Sequence, residues 1–150
     1  MISHTAEYAL RAVIFLAQDY RGAHTAQEIS QATHVPLPYL SKILNGLVRT
    51  TLVTSQRGLG GGFALAANPN KLSLLEIIDA VEPIKLCEQC PAGLGRKRGN
   101  SCPLHALLNQ SVERTRAIFA ESTVGDLLTQ DKQARQKLCV LTNGAKSVKR

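Results

Sequence analysis

The glycine-rich stretch RGLGGGFALA, residues 57–66, limits the possible folds more than any other part of the chain. Four of the five residues from 58 to 62 are glycine, and two β-prone runs flank them, at 52–56 and 63–66. Tight turns between antiparallel strands favour glycine because it tolerates positive φ angles. The pattern predicts one short β-hairpin within an otherwise helical sequence.

Helical periodicity precedes the hairpin. Apolar residues at helical spacing predict a first helix over 5–19. Thr25 and Glu28 are spaced as a capping box and predict a second helix to about residue 32. A third helix, predicted to start near Pro36 or Leu37, has one apolar face and one face rich in hydrogen-bond donors. Three helices followed by a hairpin predict a winged helix-turn-helix.

Helices are also predicted after the hairpin. Ser73 and Glu76 indicate a capped helix that ends at Pro83, and Pro103 opens a long helix to about residue 120. A further capped turn is predicted at Thr123. The long helix has an apolar stripe that predicts packing against a second copy of the chain. The members of this stripe are Leu108, Val112, Thr115 and Phe119.

The predicted fold class is mainly α with a small β-hairpin: a winged helix-turn-helix plus a long dimerisation helix. We expect four parts: a winged helix-turn-helix domain at 1–82, a cysteine-bearing loop at 83–102, the dimerisation helix with a short terminal helix at 103–130, and a basic, disordered tail at 131–150.

The charge distribution suggests a nucleic-acid partner. The chain has 18 Lys and Arg against 11 Asp and Glu, a formal net charge of +7. No acidic residue occurs between Glu28 and Glu76, which suits a surface that faces phosphates. We expect the donor-rich face and the hairpin to contact a double-stranded DNA operator. The predicted contact residues are Pro38, Tyr39, Ser41, Lys42, Asn45, Arg49, Arg57, Gly60 and Gly61.

The cysteines suggest a metal site. Cys87, Cys90, Cys102 and His105 follow the pattern C-x2-C-x11-C-x2-H, which suits zinc. The sequence has neither a signal peptide nor a membrane-spanning run, so we expect a cytoplasmic protein without a membrane partner. In that reducing compartment a metal or redox role is favoured over a disulfide. A C-x2-C thiol oxidoreductase is a remote alternative, because no thioredoxin-like βαβ context surrounds the pair; we expect no enzyme.

Several stretches resemble the Rrf-two (Rrf2) family of bacterial transcriptional regulators, from Met1 to about Leu128. They are EYALRAVIFLA, TAQEIS, VPLPYLSKILNGLV and RGLGGGFALA. The resemblance implies a homodimeric DNA-binding regulator, usually a repressor, whose cysteine loop holds an iron–sulfur cluster that senses redox state, nitric oxide or iron.

The resemblance also implies a ligand set. Cys87, Cys90 and Cys102 supply three thiolates, and His105 or Glu7 of the partner subunit supplies the fourth ligand. A 2Fe–2S cluster is preferred to a 4Fe–4S cluster, with zinc as the alternative. The family's better-known members space their three cysteines more evenly, and this departure leaves a second ligand set open: Cys90 and Cys102, completed by Glu7 and His105 or Cys87. A thiol switch without a cluster is a separate alternative.

Overall fold

The computed structural model of the chain describes residues 2–88 and 102–130. Three helices lead into a two-stranded hairpin, and three more helices follow in the described residues. The elements are α1 (His4–Gln18), α2 (Ala26–Thr33), α3 (Leu37–Arg49), β1 (Val53–Gln56), β2 (Gly62–Leu65), α4 (Leu74–Val81), α5 (Pro103–Glu121) and α6 (residues 124–130). The predicted fold class, mainly α with a small hairpin, is confirmed.

Reciprocal hydrogen bonds cap three of the helices at the predicted residues. Thr25 Oγ1 accepts from the backbone N–H of Glu28 at 3.2 Å, and the Glu28 carboxylate accepts from the N–H of Thr25 at 2.7 Å. Ser73 and Glu76 form the same box, and Thr123 forms it with Asp126. Each box satisfies N–H groups that the first helical turn leaves unpaired.

The core lies where α1 packs against α2, α3 and α4. Small residues on α1, among them Ala9 and Ala12, are fully buried and let the other helices approach closely. The four apolar residues predicted to share one face of α3 are all buried. They are Leu40, Ile43, Leu44 and Leu47. Leucine, isoleucine and valine thus fill the core of a chain that has no tryptophan.

The hairpin is joined to the helical core through His24. β1 and β2 pair antiparallel from Val53 opposite Leu65 to Gln56 opposite Gly62. His24 then forms an antiparallel bridge with Phe63, through backbone hydrogen bonds of 2.9 and 2.8 Å. β1 packs on α3 and β2 packs on α1, so the hairpin holds a defined position beside α3.

The long helix α5 packs on α4 and buries none of its residues completely. Of the predicted stripe, Val112, Thr115 and Phe119 are half-buried, and Phe119 packs against the core of its own chain. The large apolar residues that α5 exposes are Leu104, Leu107, Leu108 and Ile118. The exposed apolar surface of α5 therefore lies beside the predicted stripe, rotated about the helix axis, and Leu108 is the residue common to both.

Among the described residues, no helix is both long enough and apolar enough to cross a membrane.

Candidate nucleic-acid interface and cysteine site

The exposed face of α3 carries polar and cationic side chains. Pro38, Lys42, Asn45 and Arg49 are exposed and recur at helical spacing, opposite the four buried leucine and isoleucine residues. Tyr39 is 61% exposed at the start of the helix. The Ser41 hydroxyl donates to the carbonyl of Leu37 at 3.0 Å, so it would have to rotate before it donated to a nucleic acid. The helix thus presents an amide, an ammonium and a guanidinium on one surface.

A short turn aligns α3 with α2. His34 ends α2 in the left-handed conformation at φ 56°, and the chain starts α3 two residues later with Pro36 at its N-cap. Pro38 lies in the first turn of α3, where a missing N–H is tolerated. This arrangement of two helices joined by a tight turn is the helix-turn-helix predicted from the sequence.

Glycines shape the tip of the hairpin. Gly58 and Gly60 have φ angles of 99° and 72°, and the N–H of Gly61 donates to the carbonyl of Gly58 at 3.0 Å. A Cβ atom at Gly61 would lie 2.4 Å from the carbonyl oxygen of Gln56. Gly61 is half-buried, whereas Arg57 and Gly60 are exposed. The turn therefore keeps one tight shape and presents Arg57 beside it.

The cations of this surface, Lys42, Arg49 and Arg57, are not engaged in ion pairs with carboxylates of the described residues. The exposed polar residues of β1, Thr54 to Gln56, extend the same hairpin surface and were not among the predicted contacts. Unpaired cations on adjoining elements attract polyanions, because no internal pair has to be broken before they bind.

Three of the predicted metal ligands lie along α5 or beside it. Cys102 is the N-cap of α5, and His105 is in its first turn. The backbone N–H of Cys87 donates to Asn109 Oδ1 at 2.7 Å. Asn109 is seven residues beyond Cys102, about 10 Å along the helix axis. Cys90 lies outside the described residues, as do the basic tail and Cys139.

No metal site is assembled within residues 2–88 and 102–130, since no three His, Cys, Asp or Glu side chains are grouped closely enough there. Glu7, the other predicted ligand, is on α1 and pairs with Arg11 one turn further on. His4 Nδ1 lies 3.6 Å from the other Glu7 oxygen. Arg11 thus holds Glu7 Oε1, and a ligand role for Glu7 would fall to Oε2, the oxygen nearer His4.

An ion pair ties the segment before Cys87 to two helices. Arg116 of α5 donates to both carboxylate oxygens of Asp79 on α4, at 3.0 and 2.9 Å. The same guanidinium donates to the carbonyl of Ile84 at 3.0 Å. The hydrogen bonds to Asp79 raise the pKa of Arg116. Arg116 and Asn109 thus hold the segment 83–88 against α5 at two points.

Asn109, Asp79 and Arg116 were not among the site residues predicted from the sequence. Their partners lie 22 to 37 positions away along the chain, so no local pattern indicated these contacts. The only available signal was weak: an arginine and an amide on a helix predicted to be apolar on one side.

Comparison with known proteins agrees with the fold. Residues 2–130 match the Rrf2 family model, described as an iron-dependent transcriptional regulator. The HTH-type transcriptional regulator IscR of Klebsiella pneumoniae is 30% identical over 122 residues, which cover 81% of this chain and 75% of IscR.

Two solved structures share the fold. T. potens IscR superposes with a TM-score of 0.75 at 22% identity, covering 89% of this chain and 90% of that one. CymR, the global cysteine regulator of B. subtilis, superposes with a TM-score of 0.72 at 24% identity, covering 87% of this chain and 97% of CymR.

Proposed function

The chain belongs to the Rrf2 family of transcriptional regulators, and from that premise we propose that it is a homodimeric, sequence-specific DNA-binding repressor. In this proposal α3 enters the major groove, and the hairpin, which we call the wing (residues 53–65), follows the minor groove. The observation that carries the proposal is the unpaired polar and cationic face of α3 beside a wing of fixed position.

The chemistry of that face suits a duplex. Asn45 has an amide that can donate to and accept from one adenine edge, and Lys42 can donate to guanine or to a phosphate. Arg57 would lie in the narrow groove, where the negative potential is strongest. Tyr39, Ser41, Arg49 and the backbone at Gly60 and Gly61 would contact sugars and phosphates, which orient the protein without selecting a sequence.

The exposed apolar residues of α5 support the homodimer. Leu104 and Leu107 lie one turn apart, and Ile118 follows on the same side of the helix. A second copy of α5 would cover all three, and the two copies of α3, the proposed recognition helix, would then face two half-sites of one operator. Ile118→Asp is expected to shift the protein from dimer to monomer in sedimentation, whereas Ile118→Leu keeps the dimer.

The cysteine segment is proposed to bind an iron–sulfur cluster. Thiolates of Cys87, Cys90 and Cys102 would hold it, with His105 or Glu7 of the partner subunit as the fourth ligand. The donor chemistry fits, because thiolates and imidazole are common iron–sulfur ligands. When bound, the cluster would supply a group that oxidants, nitric oxide or iron scarcity can remove. A zinc ion, or a thiol switch without metal, is the alternative for the same cysteines.

Contacts of this chain would carry a change at the cysteines to the DNA-binding surface. Asn109 holds the backbone of Cys87, and Arg116 holds Ile84 together with Asp79 of α4. Helix α4 packs on both α1 and α3. A shift of the segment 83–88 would therefore first displace α4 and then change the position of α3.

DNA binding is tested by gel shift over genomic fragments, using the full chain with and without its metal. We expect a few fragments to bind with nanomolar affinity and most to bind only at low salt. Asn45→Ala should weaken the preferred fragments by about tenfold or more. Gln18→Ala, an exposed amide at the end of α1, is the matched control. Equal binding to all fragments would reject the proposal.

The cofactor is tested separately by purification without oxygen, with a visible spectrum and analysis of iron, sulfide and zinc. We expect a brown protein in which Cys102→Ser loses iron and sulfide together. Cys139→Ser, a cysteine outside the proposed ligand set, is the matched control and should keep both. A colourless protein with one zinc ion would reject the cluster and favour structural zinc.

A further inference from the structure

Leu59 occupies the tip of the wing and touches little of the protein. Its relative exposure is 109%, whereas the next most exposed large apolar residues, Leu107 and Ile118, reach 63%. Burying a leucine is favourable, so an apolar side chain this exposed suits a surface that contacts something else. The structure thus presents a single apolar group at the apex of the hairpin.

The backbone around Leu59 keeps that side chain pointing away from the fold. Gly58 and Gly60 on either side have positive φ angles, and a Cβ atom at either one would meet nothing within 4 Å. The turn is closed by the hydrogen bond from Gly61 to Gly58, and the close approach of Gly61 to Gln56 leaves no room for a larger residue. The apex is therefore open, and a backbone hydrogen bond closes the turn beneath it.

The sequence around Leu59 carries cations and lacks acidic residues. Arg57 is two residues away, and no acidic residue occurs from 29 to 75, a stretch that also includes Lys42 and Arg49 of α3. A protein partner for this tip would have to combine an acidic surface with an apolar pocket. A DNA minor groove offers both features at once, since its walls are deoxyribose and its rims are phosphates.

We propose that Leu59 enters the minor groove as an apolar wedge and makes the protein prefer a TA step there. This inference rests on the proposed DNA-binding function and specifies which sequence the wing selects. Apolar side chains in this position partly unstack a base step. Pyrimidine–purine steps unstack most easily, and A·T pairs lack the guanine amino group that a leucine would desolvate. TA is the step that satisfies both conditions.

The inference is tested by selecting duplexes from a random pool with the full chain and with Leu59→Ala and Leu59→Met. We expect the wild type to enrich a TA step beside each half-site, and Leu59→Ala to keep the half-sites but lose the step. Replacing TA by GC in the selected duplex should weaken the wild type about tenfold and Leu59→Ala less than twofold. Leu59→Met keeps an apolar tip and should keep the preference.

Salt dependence separates the leucine from the neighbouring arginine. Leu59→Ala should leave the slope of log K against log salt unchanged, whereas Arg57→Ala should lower its magnitude by about 0.9 if that side chain contacts one phosphate. Circular dichroism should show that all the variants remain folded, because nothing packs on the tip.

Each outcome has one meaning. If the wild type selects no sequence at all, the proposed function is wrong and this inference falls with it. If the wild type selects a motif with its TA step and Leu59→Ala selects the same motif and step, the inference alone is wrong and the proposed function stands.

Discussion

Replacing Gly62 by alanine should destabilise the protein far more than the same change at Gly60, although both glycines lie in the wing. Gly62 has a φ of 147°, and a Cβ atom there would lie 2.4 Å from the carbonyl oxygen of His24. Gly60 also has a positive φ, of 72°, but its Cβ position is open. Both alanine variants would place a side chain at a positive φ angle, but only Gly62→Ala would also bring its Cβ atom into contact with His24.

The magnitude follows from what the clash would break. Positive φ costs an alanine roughly 1–2 kcal/mol. To relieve the overlap at residue 62, β2 would have to move from His24 and lose both backbone hydrogen bonds to Phe63, each contributing about 1 kcal/mol. We therefore expect Gly62→Ala to cost about 3–4 kcal/mol and Gly60→Ala about 1–2 kcal/mol.

Denaturant unfolding at one fixed protein concentration measures this difference in unfolding free energy, since a dimer's stability depends on concentration.

The bridge between His24 and Phe63 also holds the wing beside α3. Gly62→Ala should therefore weaken DNA binding under conditions in which the protein is still folded. Equal unfolding free energies for the two alanine variants would refute the reasoning.

Three further predictions follow from the capped helices and the ion pair. In a double-mutant cycle, Arg116→Met and Asp79→Asn should show a small favourable coupling in unfolding free energy, since the pair is bidentate but about one-third exposed; additive effects would contradict the link. Thr25→Ala should cost about 1 kcal/mol in the same assay, whereas Thr25→Ser should cost much less. Hydrogen bonds from the backbone and side chain of Thr25 lower the pKa of Glu28, and those from Thr123 lower the pKa of Asp126. The stability these carboxylates contribute is present above their ordinary pKa values and lost as pH falls through the lowered ones. At pH values below about 4 the unfolding free energy should therefore decrease, and it should decrease less in Thr25→Ala than in the wild type. The same decrease in both proteins would contradict this prediction.

Local chemistry explains why much of the fold was predictable. A capping box lies within four consecutive residues, so Thr25 with Glu28 and Ser73 with Glu76 indicated helix starts that the structure confirms. The buried face of α3 and the glycine turn are equally local. These signals were enough to predict the order of the helices and the hairpin.

The contacts that were not predicted are long-range. The bridge from His24 to Phe63 and the pair from Asp79 to Arg116 depend on how distant elements pack. The apolar stripe on α5 illustrates the limit, because periodicity identified an apolar face but not what covers it. Phe119 of that stripe packs on its own chain, whereas Leu108 of the stripe is exposed together with Leu104, Leu107 and Ile118. The DNA contacts and the metal ligands stay predictions.

Methylation interference on a selected duplex tests most directly the claim that two copies bind DNA through α3 and the wing. Dimethyl sulfate modifies guanine N7 in the major groove and adenine N3 in the minor groove, so one experiment reports on both grooves. The account predicts two blocks of guanine interference separated by one helical turn or a whole multiple of it, each with adenine interference at its flank. A single block, or interference confined to one groove, would contradict it.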